Sequence, residues 1–462
     1  MTDETGIEAI VAKARAAQAA FEAGGSQERF DRAAQAAAWA IMEPARNQEL
    51  AELAVETTGL GNVPDKIIKN HRKTLGLMRD ISEAKTYGVI ADDATTGITE
   101  IARPKGVVGA IVPSTNPAAT PANNIINALK CGNSIIVAPS PKGVACAERL
   151  LEFVHAEFAK IGEDPDLAQM IPAPGSKAKT QALMEQCDMI VATGSQNNVH
   201  RAQTVGTPAV AVGAGNVTVI VDETADLAAA AEKIRASKCF DNATSCSSEN
   251  SAVVVDAVYD AFIEAMAGAG GAFVDDEAGV VAKLWPGGHL NREVIAQDAD
   301  RMLAALDIEA AEGTEYIAVP TSGIGPDHPL SGEKLSRVLA LYRAADFEEA
   351  VEITRAIQLH QGAGHSVGLH SADPDRPMTL ATAMPTSRVI VNQAHTFATG
   401  GSFTNGMPFS LSMGCGAWGG NSVNDNVNYR HFMQSTKIIR EIPSREPALE
   451  DIFEGYWSAA GK

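Results

Sequence analysis

The chain has 462 residues, 45% of them hydrophobic, which is enough for two or three packed units at about 150 residues each. Its 57 Asp and Glu against 37 Lys and Arg give a formal charge of −20, and no local basic patch overrides it, which excludes nucleic acid and anionic membrane surfaces as expected partners. The six cysteines, at 131, 146, 187, 239, 246 and 415, have neither metal-ligand spacing nor the density of a disulfide scaffold, so no metal is expected and a reducing cytoplasm fits.

The start, MTDETGIEAI, lacks the basic and apolar runs of a signal peptide, and no stretch approaches the ~18 apolar residues of a membrane helix, so a soluble protein is expected. Residues 5–80 carry apolar residues at helical spacing and predict a helical opening with nothing chemical in it. Two β-favouring runs flank a polar turn ending in Gly97, which predicts a hairpin over 87–104. From Val107, the short apolar runs VVGAIV, SIIVA, AQMI, DMIVA, AVAV and VTVIV alternate mostly with helical segments, the pattern of a parallel sheet covered on both faces. A second α/β section runs from about residue 239 to 428, with SAVVVDAV, EYIAVP, HSVGLH and SRVIVNQ as strands, and HFMQSTKIIREIP offers a last short strand and a polar end.

Ligands of such sheets bind beyond the carboxyl ends of the strands, so the turns there are the first candidates. VGAGNV supplies Gly213 and Gly215 but not the third glycine of a G-x-G-x-x-G fingerprint. Gly194 and Ser195, in ATGSQNNVHRA, lie between a strand and a helix, either as an ordinary tight turn or as a phosphate-binding one. Ser140 and Lys142 follow SIIVAP with no carboxylate beside them; a hydroxyl and a cation there can accept a ribose 2′-phosphate, which leans toward NADP, though Lys142 reads equally as a solvated helix-start residue. Asn116, in VPSTNPAATP, is an amide donor at the same edge, suited to stabilising an oxyanion. Cys246 sits among polar residues in FDNATSCSSEN; on the loop alone a structural cysteine is the commoner outcome, yet a nucleophile needs such a partly accessible position. MGCGAWGGNS is a glycine-dense turn that lets backbone approach a ligand.

Taken in order, VGAIVPSTNPAAT, ATGSQNNVHRA, VGAGN, KCFDNATSCSSENS, GEKLSRVLALYRA, MPTSRVIVNQ and GCGAWGGNSV resemble the aldehyde dehydrogenase superfamily, in particular its CoA-acylating branch. The resemblance implies an α/β fold with a Rossmann-type cofactor domain (1–82 and 105–235), an α/β catalytic domain (236–428) and a small β oligomerisation element (83–104 and 429–462), assembled as a homodimer or homotetramer. It implies that Cys246 attacks the aldehyde carbon, that Asn116 and the Cys246 N–H hold the oxyanion, that Gly194 and Ser195 turn around the pyrophosphate, and that Glu333 in GEKLS holds the nicotinamide ribose. Hydrolytic members have Glu-Leu-Gly-Gly, whose Glu activates water, where this chain reads Ala211-Val212-Gly213-Ala214. Loss of that base leaves the thioester to a CoA thiol, so NADP (alternatively NAD) and CoA are the expected cofactor and co-substrate.

The stretch VNQAHTFATGGSFTNGMPFSLSMG (391–414) resembles most the members of the branch that act on sulfoacetaldehyde, then those that act on succinate semialdehyde. Its His395, Thr396, Ser402 and Asn405, with Arg388 just before it, suit a small anionic tail, or form an ordinary polar turn that satisfies its own backbone. Arg388 has a structural alternative, since the family commonly carries Arg in this strand. His360 and His365 match a family motif without an assignable step, and Cys415 reads as a packed residue. Succinate semialdehyde or a simple aliphatic aldehyde such as acetaldehyde is the alternative substrate within the class, and a non-catalytic nucleotide-binding scaffold the alternative outside it.

Overall fold

A computed structural model describes residues 6–213 and 215–461. Four helices open it: α1 (Ile7–Ala23), α2 (Gln27–Met42), α3 (Pro44–Thr58) and α4 (Val63–Ile81). Their ends follow local chemistry. The Ser26 hydroxyl accepts the Arg29 N–H at the start of α2, Gly59 closes α3 in the left-handed region, and Asn62 caps α4 ahead of Pro64. A hairpin, β1 (Val89–Asp93) and β2 (Ile98–Pro104), leads into β3 (Val107–Val112), α5 (Ala119–Lys130), β4 (Ser134–Pro139), α6 (Val144–Ile161), β5 (Ala168–Met170), α7 (Lys177–Gln186), β6 (Met189–Thr193), α8 (Gln196–Thr204) and β7 (Ala209–Val212).

β3 to β7 form a five-stranded parallel sheet in the order β5-β4-β3-β6-β7. β3 and β4 are buried throughout, as a sheet covered on both faces requires. On one face lies an apolar cluster including Phe30, Leu77, Ile125 and Leu150; on the other, Val11, Leu183 and Val199. The chain winds outward from β3 to β5 and returns to β6, so the crevice between the loops after β3 and β6 is the topological switch point.

The second section comprises β8 (Val217–Val221), α9 (Leu227–Cys239), β9 (Glu249–Val255), α10 (Tyr259–Gly268), β10 (Gly271–Phe273), α11 (Glu277–Leu284), α12 (Ala299–Leu306), β11 (Tyr316–Pro320), β12 (Val338–Ala344), α13 (Phe347–His360), β13 (Val367–His370), α14 (Arg376–Ala383), β14 (Val389–Val391) and the short α15 (His395–Thr399). Its strands pair in parallel in the order β10-β11-β12-β9-β8-β13-β14. One expectation is corrected here. VTVIV, placed before the 235 boundary with the cofactor domain, is β8 and pairs with β9 and β13 at the heart of the second sheet, so the change of sheet falls between β7 and β8.

β15 (Met433–Ile439) pairs with β2 to make a three-stranded antiparallel sheet β1-β2-β15, and α16 (Leu449–Ala459) ends the chain. The polar end expected after the last strand is thus helical. Among the described residues no helix is long and apolar enough to cross a membrane.

Candidate active site

The loops after β3 and β6 carry Asn116 and Gly194-Ser195 to the edge of a cavity of about 440 Å³, which α4 and the second sheet complete. Of the residues singled out from the sequence, Asn116, Gly194, Ser195, Gly213, Cys246, Glu333 and Thr396 line it. Ser140, Lys142, Arg388, His395, Ser402 and Asn405 do not.

Cys246 lies on the loop between α9 and β9, and that loop is tightly held. Asp241, Asn242 and Ala243 take left-handed backbone (φ 48°, 54° and 60°), a region costly for residues other than glycine. Asp241 is fixed there by the ammonium groups of Lys66 (3.1 Å) and Lys69 and by the Thr244 hydroxyl (2.7 Å), and the Asn242 amide donates to Asp298 (2.9 Å). A Cβ at Gly215 would fall 2.2 Å from the Cys246 carbonyl oxygen, so the glycine lets the neighbouring loop pack directly on the cysteine backbone. The other five cysteines are buried, Cys415 included; Cys246 alone is partly exposed, toward the cavity.

The sulfur has a partner that sequence reasoning did not assign. His365 Nε2 stands 3.3 Å from Cys246 Sγ, its Nδ1 is 2.8 Å from the Ser366 hydroxyl, and that hydroxyl is 2.8 Å from His395 Nε2. Burial, with Glu333 and Cys415 acting in the same direction, pushes the Cys246 thiol up to about 12. Burial, with Arg388 nearby, pushes His365 down to about 3. A neutral imidazole therefore faces a protonated thiol across one hydrogen bond. The motif HQGAGHSVG marked this histidine, but only the fold brings it across 119 residues to the loop of Cys246.

Asn116 is oriented from behind. Its Oδ1 accepts from the Lys69 ammonium at 2.9 Å, which leaves the Nδ2 hydrogens as donors. Glu333 is held by its neighbour: Lys334 Nζ donates to the Leu330 and Gly332 carbonyls (2.6 and 2.9 Å), and its N–H to Asn250 (3.0 Å). Burial pushes Glu333 up to about 7. It is the one carboxylate among the described residues that line the cavity. Ala211 instead packs in the apolar cluster with Val199 and Ala202, and Ala214 lies outside the described residues.

The substrate contact expected of Arg388 is corrected by its surroundings. Its guanidinium donates to the carbonyls of His365 (3.0 Å), Gly414 (2.9 Å) and Asn424 (3.3 Å) and to Asn426 (3.2 Å), so it braces the glycine-dense turn and His365 rather than the cavity. Ser402 bonds Thr404 and Asn405 bonds Gln393, both away from the cavity, while His395 is engaged by Ser366. The cations in the wall come from the opening helix, where none was expected: Lys69, Arg72 and Lys73 of α4.

A dinucleotide fits the first sheet. Gly194 (φ 139°) opens the turn after β6, Ser195 caps α8, and its helix N-terminus can take a phosphate. Ser140 Oγ, at the end of β4, is buried with no hydrogen-bond partner among the described residues, while Lys142 reaches the Thr58 carbonyl at 3.3 Å.

Comparison with known proteins agrees with this architecture. The aldehyde dehydrogenase family model matches residues 1–273. The chain is 56% identical over 460 residues to the acylating sulfoacetaldehyde dehydrogenase of Cupriavidus necator, the match covering 99% of this chain and 93% of that one. It is 39% identical over 453 residues to the sulfoacetaldehyde dehydrogenase of an Acholeplasma species, covering 96% and 93%. The crystal structure of an acetylating aldehyde dehydrogenase from Geobacillus thermoglucosidasius superposes with a TM-score of 0.91 at 31% identity, over 96% of this chain and 97% of that one. With its two parallel sheets and a cysteine at their shared cavity, the chain belongs to the aldehyde dehydrogenase family, in its acylating branch.

Proposed function

We propose that the chain oxidises a short anionic aldehyde, sulfoacetaldehyde, to its CoA thioester, with NADP, alternatively NAD, as acceptor. The observation that carries the reading is the 3.3 Å contact between Cys246 Sγ and a neutral His365, in a cavity whose single described carboxylate is Glu333. The thiol proton passes to His365 Nε2 as the sulfur bonds to the aldehyde carbon. Asn116 Nδ2 and the Cys246 N–H receive the negative oxygen, and the Lys69 contact on Oδ1 strengthens the amide as a donor. Gly194, Ser195 and Glu333 hold the nicotinamide cofactor, and Ser140 with Lys142 receives a 2′-phosphate. When bound, the nicotinamide would supply a hydride acceptor, so that the carbon bonded to Cys246 becomes a thioester. The proton taken up by His365 passes to solvent once the thioester has formed; the CoA thiol then attacks the thioester carbon, giving its own proton to His365, and the departing Cys246 sulfur takes that proton back.

The hydrolytic branch is disfavoured by what surrounds the thioester. With alanine at 211 packed in the core, the general base for water, worth about 10²- to 10⁴-fold, is missing. A CoA thiol needs less help, because thiols ionise near pH ~8.5 and are intrinsically nucleophilic. Purified protein given sulfoacetaldehyde, CoA and either NADP or NAD should yield sulfoacetyl-CoA by mass spectrometry, and Cys246→Ala should yield none. Succinate semialdehyde or acetaldehyde outperforming sulfoacetaldehyde in the same assay would replace the substrate. Full turnover by Cys246→Ala would overturn the mechanism.

A further inference from the structure

α4 presents Lys69, Arg72 and Lys73 to the cavity, at successive positions of one helical face. Lys69 is ion-paired with Asp241, which Lys66 shares. Arg72 and Lys73 are not: neither has a carboxylate partner among the described residues. Arg72 donates one nitrogen to the Phe397 and Gly401 carbonyls (2.7 and 3.2 Å), and Lys73 donates to the Gly400 and Ser410 carbonyls (2.5 and 3.1 Å). Both lie over the Phe409 ring, 5.2 and 5.8 Å from its centroid. Carbonyls and an aromatic face accommodate a cation without cancelling its charge. Two half-buried cations with no carboxylate partner carry a desolvation cost that a negative ligand group between them would offset. In a chain of net charge −20, their placement in the wall of the reactive cavity is the more telling.

We infer that Arg72 and Lys73 are the specificity determinants that receive the anionic end of the aldehyde while its carbonyl carbon faces Cys246. The inference rests on the reading of the cavity as the aldehyde site. It places recognition on Arg72 and Lys73 of α4, oriented by the carbonyls of the 397–410 loop, in place of the side chains of Arg388, His395, Ser402 and Asn405. The reach of Arg72 is fixed by its two carbonyl bonds, which leave its remaining N–H groups to a sulfonate or carboxylate.

The test compares wild type with Arg72→Met, Lys73→Met and the charge-keeping Arg72→Lys and Lys73→Arg. The ratio of kcat/KM for sulfoacetaldehyde to that for propionaldehyde is expected to fall about 10- to 100-fold in each Met variant, the range of one charge-assisted hydrogen bond, and to recover in large part in the charge-keeping pair. An equal loss for both aldehydes would make the cations mere staples of the 397–410 loop, and a rise confined to the KM for CoA or NADP would assign them to phosphates; either overturns the inference. Binding of unreactive 2-hydroxyethanesulfonate, followed by calorimetry without turnover, separates this from the functional reading. Binding that weakens in the Met variants supports the inference even if no aldehyde is turned over, and binding unchanged in them contradicts it.

Discussion

Lys73 is the residue at which pH and substrate charge meet. Burial, with Arg72 and Lys69 adding to it and Cys246 opposing, brings its ammonium down to about 7. Below that pH it is charged and attracts an anion; as pH rises through 7 it loses the charge. Glu333, pushed up to about 7, ionises over the same interval and repels an anion, so both groups act in one direction. Initial rates should show the KM for sulfoacetaldehyde rising between pH 7 and 9, by up to about tenfold per unit, with no matching rise for propionaldehyde. Lys73→Arg should flatten part of that slope, and identical profiles for both aldehydes would contradict the assignment. His365 behaves differently. Held down to about 3, it stays neutral, so no loss of turnover from its protonation is expected between pH 5 and 7. His365→Ala should lower kcat by about 10²- to 10⁴-fold, and a loss below threefold would remove the proton transfer from Cys246 to His365. Cys246, Asn116 and Glu333 were legible in the sequence because each sits in a block that resembles the family, Asn116 after β3, Cys246 ahead of β9 and Glu333 ahead of β12. Lys69, Arg72 and Lys73 were not, because lysine and arginine on a helix usually face water, and only packing reveals that this face of α4 is turned inward.

At the scale of elements, α4 and the loop 397–410 act as one wall. Beyond the carbonyls held by Arg72 and Lys73, Arg79 reaches the Ser402 carbonyl at 3.3 Å and Asp80 accepts the Phe409 N–H at 2.5 Å. The ring of Phe409 seats on α4 where Gly76 has no side chain; a Cβ there would stand 2.3 Å from ring carbons. Alanine normally improves a helix by about 1 kcal/mol over glycine. Here Gly76→Ala is expected to destabilise by about 1–3 kcal/mol through overpacking, seen as a lower thermal midpoint together with a higher KM for sulfoacetaldehyde. A raised midpoint would show that the ring is not seated against the helix. The strands of the first sheet were readable as buried apolar runs, and the hairpin 87–104 as two runs around Gly97. The sheet to which β8 belongs was not readable, since a strand-helix alternation looks the same on both sides of a change of sheet. β12 falls within GEKLSRVLALYRA, a stretch whose polar start masks the strand that follows, although it pairs on both edges in the second sheet.

Over the whole molecule, the two parallel sheets share one reactive cavity while the third sheet stands apart from it. Among the described residues β15 pairs only with β2 and leaves its other edge open, with Ile438 and Ile439 exposed at 42% and 74%. α16 adds exposed Leu449, Ile452 and Tyr456. An open edge with apolar residues invites a second copy, so light scattering at micromolar concentration should report a dimer or tetramer, and Ile439→Lys should shift it toward monomer. A monomeric wild type would refute this. The pairing of the hairpin with the tail strand follows the family resemblance, whereas the terminal helix, with Leu449, Ile452, Phe453 and Tyr456 at helical spacing, was read only as a polar end. The division of labour between cavity and cofactor sheet leads to the most direct measurement: stopped-flow recording of nicotinamide reduction with sulfoacetaldehyde, with CoA present and with CoA omitted. Without CoA, the expected trace is a burst of about one equivalent per Cys246 followed by a stall, as the thioester waits on the sulfur. Steady reduction at the same rate in the absence of CoA, with free sulfoacetate accumulating, would contradict transfer to a thiol.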